Sequence, residues 1–280
     1  MSIRRINRKL LIGAATLGIV CVVGLNKKDA SSRYSEEVKL NISNQIEQSG
    51  NITLKGILEN GKDNLNTYKI LENPTLYPEE LLELASKKPE VIDFVADYPN
   101  YKDNNRKSIS IKKDYKPGEI PLFIQWDERW GYNKYGNNFI AVNGCGPTSL
   151  AMVAVGLTGN TNINPMVVAN YSEENGYLVD GVGSKWSLMT EGAKNFGIVG
   201  TEIPLSESSI IKTLEKGQPI IATMAPGTFT TSGHYIVLTG VDSDGKIIVN
   251  DSDSKIRSEQ TWDIDVFLKE TKNLWAFKAM

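Results

Sequence analysis

The hydrophobic pattern of this 280-residue chain changes character three times. Residues 10 to 25 carry no charge, while residues 31 to 75 are polar, with apolar positions such as Val38, Leu40, Ile42 and Ile46 at the spacing of a short amphipathic helix within a spacer. Pro78-Glu79-Glu80 then opens a helix carrying Leu81, Leu82, Leu84 and Ala85. Pro89-Glu90 opens a second with Val91, Ile92, Phe94 and Val95, which Tyr98-Pro99 should end. Asn100 to Lys116 is charged and turn-like and makes the best boundary. From Gly118 onward the pattern predicts a short strand at Ile120–Gln125 and a loop holding Trp126, Trp130 and Tyr132. Helices follow over Pro147–Leu157, Pro165–Glu174, Trp186–Phe196 after a Ser184 cap, and Glu207–Lys216 between Ser206 and Gly217. The period then shortens to two: Pro219–Met224, Tyr235–Thr239, Lys246–Val249 and Leu274–Lys278 read as strands, with a helix at Asp263–Lys272 before the last. Helices first and an antiparallel sheet afterwards is the α+β pattern. The chain divides into a terminal segment (1–30), a polar spacer with a small helical region (31–117) and a main domain (118–280).

Charge refines that division. The net charge is −2, but Arg4, Arg5, Arg8, Lys9, Lys27 and Lys28 face only Asp29 in the first thirty residues, so the remainder carries about −7. An acidic body argues against nucleic acid as a partner, because phosphate neutralisation needs basic surface. The basic start, the uncharged run and the polar residues after it have the order of an export signal, cleaved or retained as an anchor. The expected location is therefore outside the cytoplasm, secreted or held at the cell surface. Oligomeric state is not written in the sequence.

Two cysteines exist, and Cys21 lies in that terminal segment. The body keeps Cys145 alone, which cannot close an internal disulfide. One cysteine and one histidine are also too few for a zinc site. No metal or cofactor is called for. What remains is an unpaired thiol at Asn143-Gly-Cys-Gly-Pro-Thr-Ser-Leu-Ala-Met152, between two glycines and at the start of an apolar helix. Pro147 suits the first helical position, and the orphan N–H groups and positive dipole end there favour thiolate over thiol.

The chain's single histidine, His234, stands where a glycine-bearing loop enters the run Tyr-Ile-Val-Leu-Thr. A thiol nucleophile needs a base for its proton and a third group to hold the imidazole. If Val241 pairs Lys246 across a four-residue turn, residue 236 faces Asp251. Asp251 then shares a face with His234, one diagonal step or about 7–8 Å away. A three-residue loop would reverse that parity and promote Asn250; Asp253 ranks third. The backbone N–H of Cys145 is one donor for a developing oxyanion, and Gln125 and Asn143 are candidates for the second.

Gln125-Trp126-Asp127 with Trp130-Gly131, then Gly144-Cys-Gly-Pro-Thr-Ser-Leu-Ala-Met152, then Gly233-His-Tyr-Ile-Val-Leu-Thr-Gly240 and Val249-Asn-Asp251 together resemble the peptidase C39-like family of papain-like cysteine peptidases. The resemblance covers about residues 118 to 280. It implies a papain-like fold with Cys145 as nucleophile, His234 as base, Asp251 as its orienting partner and Gln125 in the oxyanion hole, acting on a peptide or protein substrate. Ser252 departs from the Asp-Pro that the family often carries. Better known members cut double-glycine leader peptides while fused to transporter and ATPase domains, and this chain has no Gly-Lys-Ser/Thr phosphate loop to carry that substrate over. A cell-wall peptide amidase or an acyltransferase would use the same residues. A non-catalytic surface-binding module would instead use the aromatic loop as a ligand platform.

Overall fold

Serine and asparagine side chains, which make residues 31 to 75 read as a polar spacer in sequence, act in the structure as helix caps. The computed structural model describes residues 33–103 and 108–280, so the terminal segment expected to direct export lies outside the described residues. Among the described residues no helix is long and apolar enough to cross a membrane. Ser35 accepts from the Val38 N–H to start α1 (Glu36–Ser49), Asn51 caps α2 (Ile52–Gly61) at Leu54, and Asn64 caps α3 (Leu65–Glu72) at Asn66. Gly50, with φ of 68°, ends α1. The expected spacer is thus largely helical, because a polar residue every turn or so is what short capped helices require.

The pair of helices read from Pro78 and Pro89 follows as α4 (Glu79–Lys87) and, after the 3-10 turn Pro89–Val91, α5 (Ile92–Asp103). Pro99 does not stop α5 as expected. Its neighbours compensate, since Tyr101 packs on Tyr132 at 4.4 Å between ring centroids and Tyr98 meets Phe139 edge-on at 6.0 Å. Buried Ile57, Ile70, Leu81, Ile92 and Val95 form one core that runs on into Trp126, Tyr132 and Phe139. The aromatic loop is therefore packing, not platform: Trp126, Trp130 and Tyr132 are all buried.

The main domain is built on α6 (Cys145–Thr158), apolar all round and buried without a break from Gly146 to Val155. It starts two residues earlier than expected, with Pro147 at the third helical position, where the N–H it lacks would still have no acceptor within the helix. Next come α7 (Pro165–Glu174), capped by Asn164, and α8 (Glu207–Glu215), capped by Ser206. The helix expected at 186–196 breaks into a turn at Ser187–Thr190 and a 3-10 stretch at Gly192–Phe196. Ser184 caps neither; it pairs in a two-residue ladder with Leu178.

Six strands make the sheet: β1 (Ile198–Glu202), β2 (Ile220–Met224), β3 (His234–Val241), β4 (Ile247–Asp251), β5 (Thr261–Trp262) and β6 (Thr271–Ala279), in the order β1-β6-β2-β3-β4-β5 with all neighbours antiparallel. Two short helices, α9 (Lys255–Ser258) and α10 (Ile264–Glu270), lie between β4 and β6. One face packs on α6 through Ile221, Tyr235, Val237 and Trp275, and the other buries Ile210, Leu214, Ile236, Val249 and Phe267. The expected strand at Ile120–Gln125 joins no ladder. Pro121 has no N–H to give, and the segment is tied to β4 and the turn after it at separate points, by Asn250 Nδ2 on the Ile120 carbonyl and by the Gln125 N–H on that of Ser252. This mixed helix and antiparallel-sheet architecture is compatible with a papain-like fold.

Candidate active site

Cys145 is half-buried at the first position of α6, in a slot that only glycines leave open. A Cβ on Gly144 would stand 2.4 Å from the Ile140 carbonyl oxygen, and one on Gly146 would stand 2.5 Å from Ser184 Oγ. Four residues along the helix, Ser149 Oγ donates to the carbonyl of Tyr235 at 3.2 Å, tying the helix that carries the thiol to the strand that carries the imidazole. His234 is the first residue of β3, paired with Met224 of β2, and is buried.

The hairpin delivers Asp251 as the parity argument requires, by a different route. Near the turn the register is one residue off, with Val241 opposite Ile247 and Gly240 opposite Ile248; an irregularity between Leu238 and Gly240 restores Leu238↔Val249 and Ile236↔Asp251. Asp242 accepts its own turn's N–H groups from Asp244 and Lys246. Asp251 therefore faces the imidazole, and its Oδ1 lies 2.7 Å from His234 Nε2. Asn250 points away and holds the Ile120 carbonyl. Asp253 makes no bond to the imidazole; its N–H donates to Asp251 Oδ1 at 2.8 Å and its carboxylate pairs with Lys88.

Sequence reasoning missed the cation behind this carboxylate. Arg257 of α9 donates from Nε to Asp251 Oδ2 at 2.5 Å, so one oxygen of the fully buried carboxylate faces the imidazole and the other a guanidinium. The signal was a basic residue six positions past Asp251 on a four-residue helix, too short for periodicity to reveal.

The electrostatics follow from burial set against pairing. Burial works to raise Asp251, but His234 and Arg257 outweigh it and hold the carboxyl below its usual range. For His234, burial favours the neutral ring. The Asp251 charge and hydrogen bond, with a smaller contribution from Cys145, reverse this and push the imidazole up to about 9. Burial pushes the Cys145 thiol up, while His234 and the backbone N–H groups of Tyr235 and Gly146 bring it below the ordinary cysteine value. Both shifts run in the direction that favours thiolate and imidazolium. Since Nε2 is committed to Asp251, Nδ1 is the nitrogen left for the thiol.

This arrangement, on the element order described above, coincides with a family match. The sequence model of the Peptidase_C39 like family matches residues 118–278. The chain belongs to the peptidase C39-like family. No curated protein matches it. The family segment takes in Gln125, Cys145, His234, Asp251 and Arg257 and leaves out α1 to α5.

In this C39-like chain Gln125 links the segment before Cys145 to the turn after Asp251. It is buried, its Nε2 donates to the Ala141 carbonyl at 2.9 Å, and its Oε1 accepts from Ser252 Oγ at 3.4 Å. The amide nitrogen is therefore fixed on the one-turn helix Ile140–Asn143 that leads into Gly144, with one N–H left over. Ser252, which departs from the Asp-Pro often found in the family, is fully buried and spends its hydroxyl on Gln125. No cluster of metal-ligating side chains occurs among the described residues.

Proposed function

We propose that the chain is a cysteine peptidase that hydrolyses peptide bonds through a thioester, with Cys145 as nucleophile and His234 as general base and acid. The observation that carries this reading is that the single body thiol, the single histidine and a buried, ionised aspartate form one chain of interactions. In the proposed reaction the Cys145 thiolate attacks the scissile carbonyl carbon, and the carbonyl oxygen takes the negative charge. The Cys145 N–H and the free N–H of Gln125 Nε2 stabilise that oxygen. The imidazolium gives its proton to the leaving amine as the C–N bond breaks, leaving an acyl thioester. Water, deprotonated by His234, then attacks the thioester and releases the carboxylic acid and the thiol. Asp251 keeps Nε2–H oriented and the imidazolium stable throughout. The family match supports the peptidase class, and the burial of Trp126, Trp130 and Tyr132 removes the exposed platform on which a binding-only role would rest.

Export to the cell surface is part of the same proposal, resting on the charge order of the first thirty residues. Profiling of cleavage over a peptide library, with Cys145→Ala as control, tests the activity. Peptide-bond cleavage lost in the control is expected. Turnover of cell-wall peptides alone, or transfer of the acyl group to an added amine in place of water, would replace peptidase with amidase or acyltransferase. Fractionation of cells expressing the full chain tests the location, and recovery in the cytoplasm would refute it.

A further inference from the structure

The side chains behind the imidazole form a row of alternating charge that does not end inside the family segment. Behind the Cys145–His234 pair stands Asp251, whose second oxygen holds Arg257. Arg257 Nη2 in turn lies 3.7 Å from Asp253 Oδ2, and Asp253 carries Lys88 on that same oxygen. Lys88 belongs to the helical region, at the C-terminal end of α4, outside the residues matched by the family. Its position follows from the sequence: Pro89 forces the preceding residue out of the helical conformation, and Lys88 is extended at φ −145° and ψ 118°.

The neighbourhood leaves Asp253 little else. Its Oδ1 has no hydrogen-bond partner among the described residues, and neither has Arg257 Nη2. Glu90, two residues after Lys88, is spent elsewhere: its carboxylate accepts from Ser254 Oγ and from the N–H groups of Lys255 and Ile256, capping α9 and anchoring the helix that bears Arg257. Lys255 lies over the Trp126 ring. The charged or titratable groups that act on Lys88 are thus Asp253, Arg257, Asp251, Glu90 and Cys145.

From this geometry we infer that Lys88 is a positioning residue of the active site, so that the helical region is a working part of the catalytic unit. By neutralising Asp253 it keeps Arg257 committed to Asp251, and its positive charge favours the Cys145 thiolate. Without it, Asp253 would draw Arg257 across the short gap between them and weaken the hold on Asp251. Loss of one cation near the pair disfavours the thiolate and favours the imidazolium, so both proton affinities rise. Burial, with Arg257 adding to it, pulls Lys88 itself down to about 8, as expected for a lysine held in the site by structure and not by solvent.

The inference rests on the thiol–imidazole reading above, and the test separates the two. The pH dependence of Cys145 alkylation by iodoacetamide is measured on the full chain as wild type, His234→Ala, Lys88→Met, Lys88→Arg and Asp253→Asn. The midpoint is expected to rise by about half a unit to one unit in Lys88→Met, to return towards wild type in Lys88→Arg, and to fall in Asp253→Asn, where an anion is removed instead. Opposite shifts for the two neutralisations are what a merely structural contact would not produce. If the wild-type thiol is depressed in a His234-dependent way but neither neutralisation moves it, the role of Lys88 is overturned and the thiol–imidazole reading stands. A wild-type thiol with ordinary affinity, unaffected by His234→Ala, overturns both. Should Lys88→Met fail to fold, the sign of the Asp253→Asn shift decides.

Discussion

Asp251 meets a ring nitrogen on one oxygen and a guanidinium on the other, and sits beyond the reach of solvent. Replacing it by asparagine keeps the shape but removes the charge that raises His234, so the thiolate–imidazolium pair loses its support. Activity is expected to fall by about 10²- to 10⁴-fold in kcat/KM for Asp251→Asn. Asn250→Ala, one position away on the other face, should leave the pH profile where it is, because Asn250 holds only the Ile120 carbonyl. Steady-state kinetics on the two variants distinguishes them, and equal losses would contradict the assignment. The same carboxylate sets an acid limit on stability. Its folded value lies below the unfolded value of 3.8, so its contribution is fully present above that value and is lost as pH falls through the folded one. Urea midpoints should therefore drop between about pH 5 and pH 2, and less steeply in Asp251→Asn. His234 works in the opposite direction. With a folded value raised from 6.5 to about 9, its contribution is complete below 6.5 and is lost as pH rises through 9. Cys145→Ser removes the smaller contribution of the thiol and leaves that of Asp251, so the unfolding midpoint of that variant should still decline as pH rises above 6.5, over a window that ends earlier than in the wild type. At this scale the proposed nucleophile and base, Cys145 and His234, were legible because each is the one residue of its type in the body, and Asp251 was legible through hairpin parity, while Arg257 and Lys88 were not. A cation that completes a buried charge row looks, in sequence, like any surface basic residue.

The elements hold these side chains through close backbone approaches, and one of them offers a clean test. Gly146 lies against Ser184 of the hairpin 178–184, whose hydroxyl is also within 2.8 Å of Tyr135 Oη, and whose carbonyl takes the Tyr235 hydroxyl at 3.0 Å. Gly146→Ala is expected to wedge that hairpin away from α6, costing about 1–3 kcal/mol by overpacking and lowering kcat/KM. Adding Ser184→Gly removes the atoms that the new Cβ meets, so the double variant should recover much of both, as a double-mutant cycle in stability and activity would report. No such rescue is available at Gly144, whose obstacle is a backbone oxygen. The hairpin that presents Asp251 shows what sequence could and could not give at this scale. The parity at Ile236↔Asp251 was legible, but the register at the turn was one residue out, and the irregularity beside Thr239 compensates for it. Strand pairing is a nonlocal choice that fixes faces, whereas a bulge leaves no period of its own to read. For the same reason β1, a five-residue Ile-Val-Gly-Thr-Glu run that pairs only with the far end of the chain, escaped notice.

At the scale of the whole molecule, the boundary drawn near residue 117 divides the sequence but not the packing. The core of the helical region continues through Phe94 and Val95 into Trp126, Tyr132 and Phe139. Phe94 stacks on Tyr132 at 4.1 Å with rings 9° from parallel, and the Tyr132 hydroxyl donates to the Phe94 carbonyl at 2.6 Å. Gly131 has no side chain where the Phe94 ring would meet one at 2.9 Å. Glu90 adds a polar anchor by capping α9 from outside it. A seam with a shared apolar core and a borrowed cap should not open independently, so urea unfolding followed by tryptophan fluorescence and by far-UV circular dichroism is expected to give one coincident transition. Glu90→Ala removes three acceptances at the start of α9 and should shift that single transition by about 0.5–2 kcal/mol without splitting it. Because α9 carries Arg257, the same variant should also reduce kcat/KM under conditions where the protein is still fully folded. Two separated transitions in the wild-type chain, with the helical region melting first and activity surviving its loss, would show instead that the helices are an appendage to a self-sufficient domain.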